Sequence, residues 1–236
     1  MAPSSLAYKD TSVVGKPECE RVDWRLMDRN TGEIIPASCK AYKCPVCGPK
    51  KSWSWIGATA AFGRPERFLR LSRLPETAEG RRDYMKDIRL RLRRQNYQTE
   101  WLWVVEKNPR GTGFHAHVLQ WGDYIPQDHL QKMLGGRIPY IEKISSNVGA
   151  AGYALKGVGA GGYALKGFRG DVETYWAHLD LNGGRPVHHS RGFFRSQTGE
   201  RMTATAARKE YLATLGEGEE RDWVRIPKGS PQSARE

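Results

Sequence analysis

The stretch Trp101–Trp121, WLWVVEKNPRGTGFHAHVLQW, constrains the fold of this chain more than any other. Two runs rich in β-branched and aromatic residues flank Asn108-Pro-Arg-Gly-Thr-Gly113, a Pro- and Gly-bearing turn longer than the two-residue minimum. That pattern is a β-hairpin. Side chains alternate along a strand, so His115 and His117 project to one face while Ala116 and Val118 take the other. An antiparallel return lays Glu106 beside the histidine pair. Two imidazoles and a carboxylate on one sheet face make a divalent-metal site with coordination positions left open. On spacing alone, two half-buried strand histidines fit a His-x-His pair equally well, so the rest of the chain has to decide.

At 236 residues the chain can build one sizeable core, or one core with a small appended module. A 39% hydrophobic and 27% charged composition describes a globular protein. No run of 18 apolar residues exists, and MAPSSLAYKD lacks the apolar centre of a signal peptide. The expected location is therefore the cytoplasm of the cell that makes it, a prokaryotic host, with no membrane as a partner. The formal charge is +12, and Arg64–Arg94 holds eleven basic residues against five acids, a surplus of six. A charge run is ordinarily a solvated helix face. With eight Trp and ten Tyr also available for stacking, a polyanion, nucleic acid above all, is the favoured partner.

The four cysteines fall in one block, Cys19, Cys39, Cys44 and Cys47, the last two in the knuckle Cys44-Pro-Val-Cys47-Gly48. Four thiolates with a CxxC pair suit a tetrahedral zinc site, against the alternatives of reduced cytosolic thiols or disulfides. Residues 20–38 between them read as strand-like. A helix is predicted over 50–62 and a short strand over 68–72. Residues 79–95 form a further predicted helix, with Tyr84, Ile88 and Leu92 as its buried stripe. Its outer faces carry Arg82, Lys86, Arg89, Arg93 and Arg94. Beyond the hairpin come a helix over 126–134, a strand over 137–144 and a helix over 203–215. His188 and His189 are adjacent, so on a strand they face opposite ways.

Between them lies a tandem ten-residue repeat, VGAAGYALKG followed by VGAGGYALKG, in which only Ala151 and Gly161 differ. Each copy holds Tyr-Ala-Leu-Lys: Tyr153 with Lys156, and Tyr163 with Lys166. On a helix, i and i+3 share a face, so an ammonium sits near each phenol and favours phenolate. Small-residue helices that merely pack on a sheet explain the same pattern. The embedded Gly157-x-Gly159-x-x-Gly162 matches a dinucleotide fingerprint, but no apolar strand leads into it.

Taken together, these residues resemble the HUH endonucleases, specifically the rolling-circle replication initiators of phages and plasmids. Phe68-Leu-Arg-Leu-Ser72 stands where that family has its first motif, and His115-Ala-His117 looks like its histidine–hydrophobe–histidine motif. Glu106 falls where many members take a third ligand, and either YALK segment matches the tyrosine motif. The resemblance spans roughly residues 39–194.

It implies an α+β fold with a central antiparallel five-stranded sheet, ferredoxin-like or RRM-like, with packed helices and a small N-terminal zinc module. The implied organisation is a flexible lead over 1–16, a cysteine-rich module over 17–62, the endonuclease domain over 63–215 and a tail over 216–236. The implied chemistry is nicking of single-stranded origin DNA by Tyr153 or Tyr163, with Lys156 or Lys166 alongside. Mg2+ or Mn2+ would sit on Glu106, His115 and His117, and structural Zn2+ on the cysteines. A 5′-phosphotyrosine forms and the strand is later rejoined. A host helicase and polymerase are implied partners, since no G-x-x-x-x-G-K-[ST] occurs. A relaxase or HUH-type transposase shares this chemistry, and a non-catalytic zinc-containing DNA-binding protein explains the charge and cysteines alone. One departure stands out. Ten residues turn a helix through about 1000°, so the two tyrosines cannot both face one metal on a straight helix.

Overall fold

The structure is a computed structural model that describes residues 19–30, 34–39, 41, 42, 44, 46–108, 112–144, 172–185, 187–214 and 223–228. The chain divides into two compact units, Ala41–Glu217 and the pairing of Met1–Lys40 with Gly218–Glu236.

The larger unit is an α+β arrangement around a five-stranded sheet in which every neighbouring pair is antiparallel. Its elements are α1 (Cys47–Phe62), β3 (Arg67–Leu74), α2 (Ala78–Arg94), β4 (Thr99–Lys107), β5 (Phe114–Gly122), α3 (Gln127–Met133), β6 (Tyr140–Lys143), α4 (Val172–Leu181), β7 (His188–His189) and α5 (Ala204–Thr214). The strand order is β6-β3-β5-β4-β7, so the hairpin strands β5 and β4 lie inside the sheet. This is why β4 reads TEWLWVV without alternation: its first seven residues are all buried, with helices over both faces.

The two faces separate into two cores. Leu69, Leu71, Trp101, Trp103, Val105, Ala116 and Val118 meet Met85, Ile88 and Leu92 of α2 and Leu130 of α3. On the opposite face Phe68, Leu102, Val104 and Leu119 meet Trp55, Ala58 and Phe62 of α1, with Ala207 of α5 and the Phe193–Phe194 pair.

The helix α2 begins at Thr77, whose Oγ1 accepts the Gly80 amide at 3.0 Å, and it ends in a basic last turn that suits the helix dipole. Its buried stripe is Arg81, Met85, Ile88 and Leu92, which corrects the Tyr84–Ile88–Leu92 stripe expected from periodicity. Tyr84 is only half-buried. Arg81 takes the inner position because its guanidinium donates to the carbonyls of Pro75, Glu76 and Leu181 at 3.2, 2.6 and 2.7 Å and lies over the Phe114 ring. With both terminal nitrogens paired to carbonyls, the guanidinium can occupy a core position although its Nε has no hydrogen-bond partner among the described residues.

The smaller unit holds a three-stranded antiparallel sheet, with β1 (Trp24–Asp28) between β2 (Ile34–Pro36) and β8 (Trp223–Pro227). The stretch expected as a C-terminal tail thus contains a paired strand. Among the described residues, no helix is long and apolar enough to cross a membrane.

β5 stops at Gly122, whose φ is +99° and where an added Cβ would stand 2.1 Å from the Gln98 carbonyl oxygen. Gly122→Ala is expected to destabilise the fold by roughly 1–3 kcal/mol, because both the backbone angle and the space demand glycine. Urea denaturation measures it, and a midpoint equal to wild type would contradict it.

Candidate metal centre

The hairpin register sets the site. Glu106 of β4 pairs directly with His115 of β5, and Ser72 of β3 pairs with His115 from the other side. The next row on the same face is Tyr140, Arg70, His117 and Val104, drawn from β6, β3, β5 and β4. Glu106, His115 and His117 therefore share one face, beyond the apolar patch that Phe68, Leu102 and Leu119 cover. The burial of β3 records the change along it. Phe68 is buried, whereas Arg70 and Ser72, two and four residues on, are exposed.

The donor atoms converge. His115 Nε2 lies 3.0 Å from His117 Nε2 and 3.7 Å from Glu106 Oε2, and one ligand atom from each of the three falls within 4.8 Å of the others. Two nitrogens at about 2.1 Å from one cation and at right angles to each other stand about 3 Å apart, so the imidazole spacing fits a shared ion. Three protein donors of this kind leave positions open for water or substrate, the pattern of a catalytic rather than a structural metal.

Asn108 holds His115 in the state a ligand needs. Its Nδ2 donates to Thr112 O at 3.0 Å, which turns its Oδ1 toward His115 Nδ1 at 2.9 Å. The hydrogen of that imidazole is then on Nδ1 and the lone pair of Nε2 faces the site. Burial, and then the nearby Arg70 guanidinium, push the His115 pKa down to about 4, so the ring is neutral at physiological pH. His117 is buttressed by the edge of Phe68, the ring centroids 5.3 Å apart at 79°.

Neither Asn108 nor Arg70 was among the expected site residues. Asn108 reads as an ordinary turn former, and its second role shows only once the turn is closed. The alternation of β3 places Arg70 on a face with Phe68 and Ser72, but the register with β5 is needed to place it opposite His117.

The second group of donors is the cysteine set. Cys19 and Cys39 belong to the smaller unit and Cys44 and Cys47 to the larger, and no disulfide links the four. Four thiolates are the donor set of a structural zinc site. The Cys47 amide points at Cys44 Sγ at 3.4 Å, the local turn expected of the knuckle.

The remaining expected residues fall elsewhere. Arg82, Lys86 and Arg89 of α2 line a cavity beside β7, whereas Arg94 lines a different one next to His129 and Lys132, and Arg93 is exposed. The α2 cations therefore do not form a single surface. His188 stacks on Trp103 and His189 packs against Trp55 and Phe194, so the two face opposite ways; His189, paired with Leu102, lies at the apolar end of the metal ligands' face and does not join them. Tyr153, Lys156, Tyr163 and Lys166 lie outside the described residues.

No protein-family model matches the chain. No curated protein sequence matches it either. Among solved structures it is similar to the N-terminal nuclease domain of minute virus of mice non-structural protein 1, at 12% identity over 76% of this chain and 69% of that one. The TM-score is 0.20, too low to fix a residue correspondence, so the site stands on its own geometry.

Two outcomes follow for the purified protein. Calorimetry with Mn2+ should show binding abolished in His115→Ala/His117→Ala and weakened roughly 10- to 100-fold in Asn108→Ala, which keeps the ligands but frees the ring. Unchanged affinity in Asn108→Ala would remove its orienting role. Separately, the His115 ring proton of the metal-free protein should titrate near pH 4 by NMR. An unfolded histidine titrates near 6.5, so protonation opposes folding, and the stability His115 contributes falls away as pH drops from about 6.5 toward 4. A midpoint near 6.5 would contradict the burial argument.

Proposed function

We propose that the protein is a metal-dependent endonuclease of the HUH type that nicks and rejoins single-stranded DNA, acting as a rolling-circle replication initiator. The observation that carries this reading is the convergence of Glu106, His115 and His117 at the polar end of a five-stranded antiparallel sheet face, with Arg70 in the adjoining row. Glu106, His115 and His117 would hold Mg2+ or Mn2+, which when bound supplies Lewis-acid polarisation of a phosphate oxygen. Cys19, Cys39, Cys44 and Cys47 would hold a structural Zn2+.

The chain's own groups account for the remaining requirements. Asn108 keeps His115 aimed, while burial and the Arg70 guanidinium keep it neutral. Arg70 presents a cation to a phosphate lying across the sheet face, where charge builds during displacement. The nucleophile is the phenol of Tyr153 or Tyr163, assisted by Lys156 or Lys166, whose ammonium favours loss of the phenolic proton to solvent. The phenolate oxygen forms a bond to phosphorus as the bond to the 3′-oxygen breaks. That oxygen takes up a proton and leaves as a 3′-OH, and the 5′-phosphate stays esterified to tyrosine. Attack by a 3′-OH on this ester reverses the step and closes the strand. The basic composition and the cations of α2 suit the polyanionic substrate.

The test uses a randomised pool of single-stranded oligonucleotides labelled at both ends, incubated with Mn2+ or Mg2+ and run on a denaturing gel. Wild type should give a covalent protein–DNA band that chelator prevents. The band should be absent in His115→Ala/His117→Ala and in Tyr153→Phe/Tyr163→Phe. Loss in one single tyrosine variant would name the nucleophile, and loss only in the double would show that either serves. A wild-type protein that binds the pool and never forms the band would instead be a DNA-binding protein without this chemistry.

A further inference from the structure

A second concave site in the larger unit lies at the β7 edge of the sheet, apart from the metal ligands. A cavity of ≈ 370 Å³ opens between β7 and α2. Its wall is aromatic. Trp103 and His188 stack with centroids 5.3 Å apart and planes 15° from parallel, and Trp55 meets His189 at 5.4 Å. Cations ring it. Arg82, Lys86 and Arg89 come from successive turns of α2, and Arg185 comes from the loop that leads into β7.

Part of that charge is compensated: Arg82 lies 3.3 Å from Glu79 and 3.8 Å from Asp83, and Arg89 lies 4.0 Å from Glu100. Among the described residues, Lys86 and Arg185 have no acidic group within ion-pair distance. The histidines register the resulting field. Burial is the main cause that lowers the pKa of both, to about 4 for His188, and the Arg185 guanidinium adds to it in each case. The two rings are therefore neutral at physiological pH, and the half-buried His188 and His189 face the cavity as uncharged rings over the buried Trp103 and Trp55.

A charge run on a helix is usually a solvated face. Here the charges of α2 converge with one from a separate element on a single cavity, around stacked rings. Cations beside aromatic surface recognise a phosphate joined to a flat base. The place is also distinct from the metal centre. Trp103 is three residues before Glu106, about 10 Å along the strand, with its side chain on the opposite face, and the cavity wraps the β7 edge to His189, which stands beside Leu102, four residues before Glu106.

We infer that this cavity is a nucleotide subsite for single-stranded DNA, in which Lys86 and Arg185 hold a backbone phosphate and the adjoining base lies against the aromatic wall. The inference takes its strand from the proposed substrate and is independent of the nicking chemistry.

Fluorescence anisotropy of a labelled single-stranded oligonucleotide, titrated with the full chain at several salt concentrations, tests it. Lys86→Gln/Arg185→Gln should lose tenfold or more in affinity. Its slope of log K against log salt should become shallower by about 0.7, as one lost phosphate contact on a single strand requires. Arg91→Gln/Lys132→Gln removes the same charge at the other cavity of α2 and should lose less than threefold. Equal losses in the two doubles would overturn the subsite and leave only net charge. Unchanged circular dichroism and Mn2+ affinity in the first double exclude misfolding. His115→Ala/His117→Ala should keep this subsite's contribution whatever becomes of nicking, so failure of the nicking reading and failure of the subsite are separable. Calorimetry with thymidine monophosphate distinguishes the sources of the phosphate. Binding weaker than the oligonucleotide's supports the strand. Tighter binding, lost in the first double, would make the occupant a free nucleotide and overturn the strand.

Discussion

The pairing of Glu106 with His115 across the β4–β5 ladder is the constraint on which the candidate metal centre depends. Side chains alternate with a period of two, so a slip of one residue would send His115 and His117 into the Met85–Ile88–Leu92 core and bring Ala116 and Val118 to the metal face. Two features of the connecting turn fix the register. Gly113 has φ of +89°, a conformation that glycine adopts without strain, and the Asn108 amide donates to the Gly113 carbonyl at 3.1 Å. The side chain of the same Asn108 then bonds His115 Nδ1. One residue thus closes the turn through its backbone and selects the imidazole tautomer through its side chain.

The metal face also shows how one sheet surface serves two purposes. Phe68 belongs to the core beneath α1, yet its ring edge supports His117. The transition from packed to polar takes place within two residues of β3, between Phe68 and Arg70. A ligand set placed at such a boundary has a rigid apolar floor on one side and access for a charged substrate on the other. Rigidity keeps the donor atoms close in space and lowers the cost of assembling them around an ion.

Much of this was legible in the sequence because the signals were local. The Glu/His/His triad follows from alternation and a hairpin, and α1, α2, α3 and α5 follow from apolar spacing and breakers. What was not legible depended on partners distant in sequence. Arg81 is a core residue only because Leu181 and the turn at Pro75–Glu76 supply carbonyls to it. Arg70 belongs to the metal face only through the β3–β5 register. The convergence of Arg185 with the cations of α2 links residues about a hundred positions apart, and no spacing rule reaches that far. The tyrosine repeat, prominent in the sequence, lies outside the described residues and gains nothing from the structure.

The pairing of β8 with β1 has a consequence for synthesis. Trp24–Asp28 emerges from the ribosome long before Trp223–Pro227, and until then β1 has only the three residues of β2 beside it. All of Ala41–Glu217 is made in the interval, including every strand of the five-stranded sheet, whose pairings are complete without β8. The larger unit can therefore finish folding while β1 still presents an open edge, the kind of edge that recruits other strands. Vectorial synthesis makes the smaller sheet the last to close, and a chain released before residue 223 would keep that edge permanently.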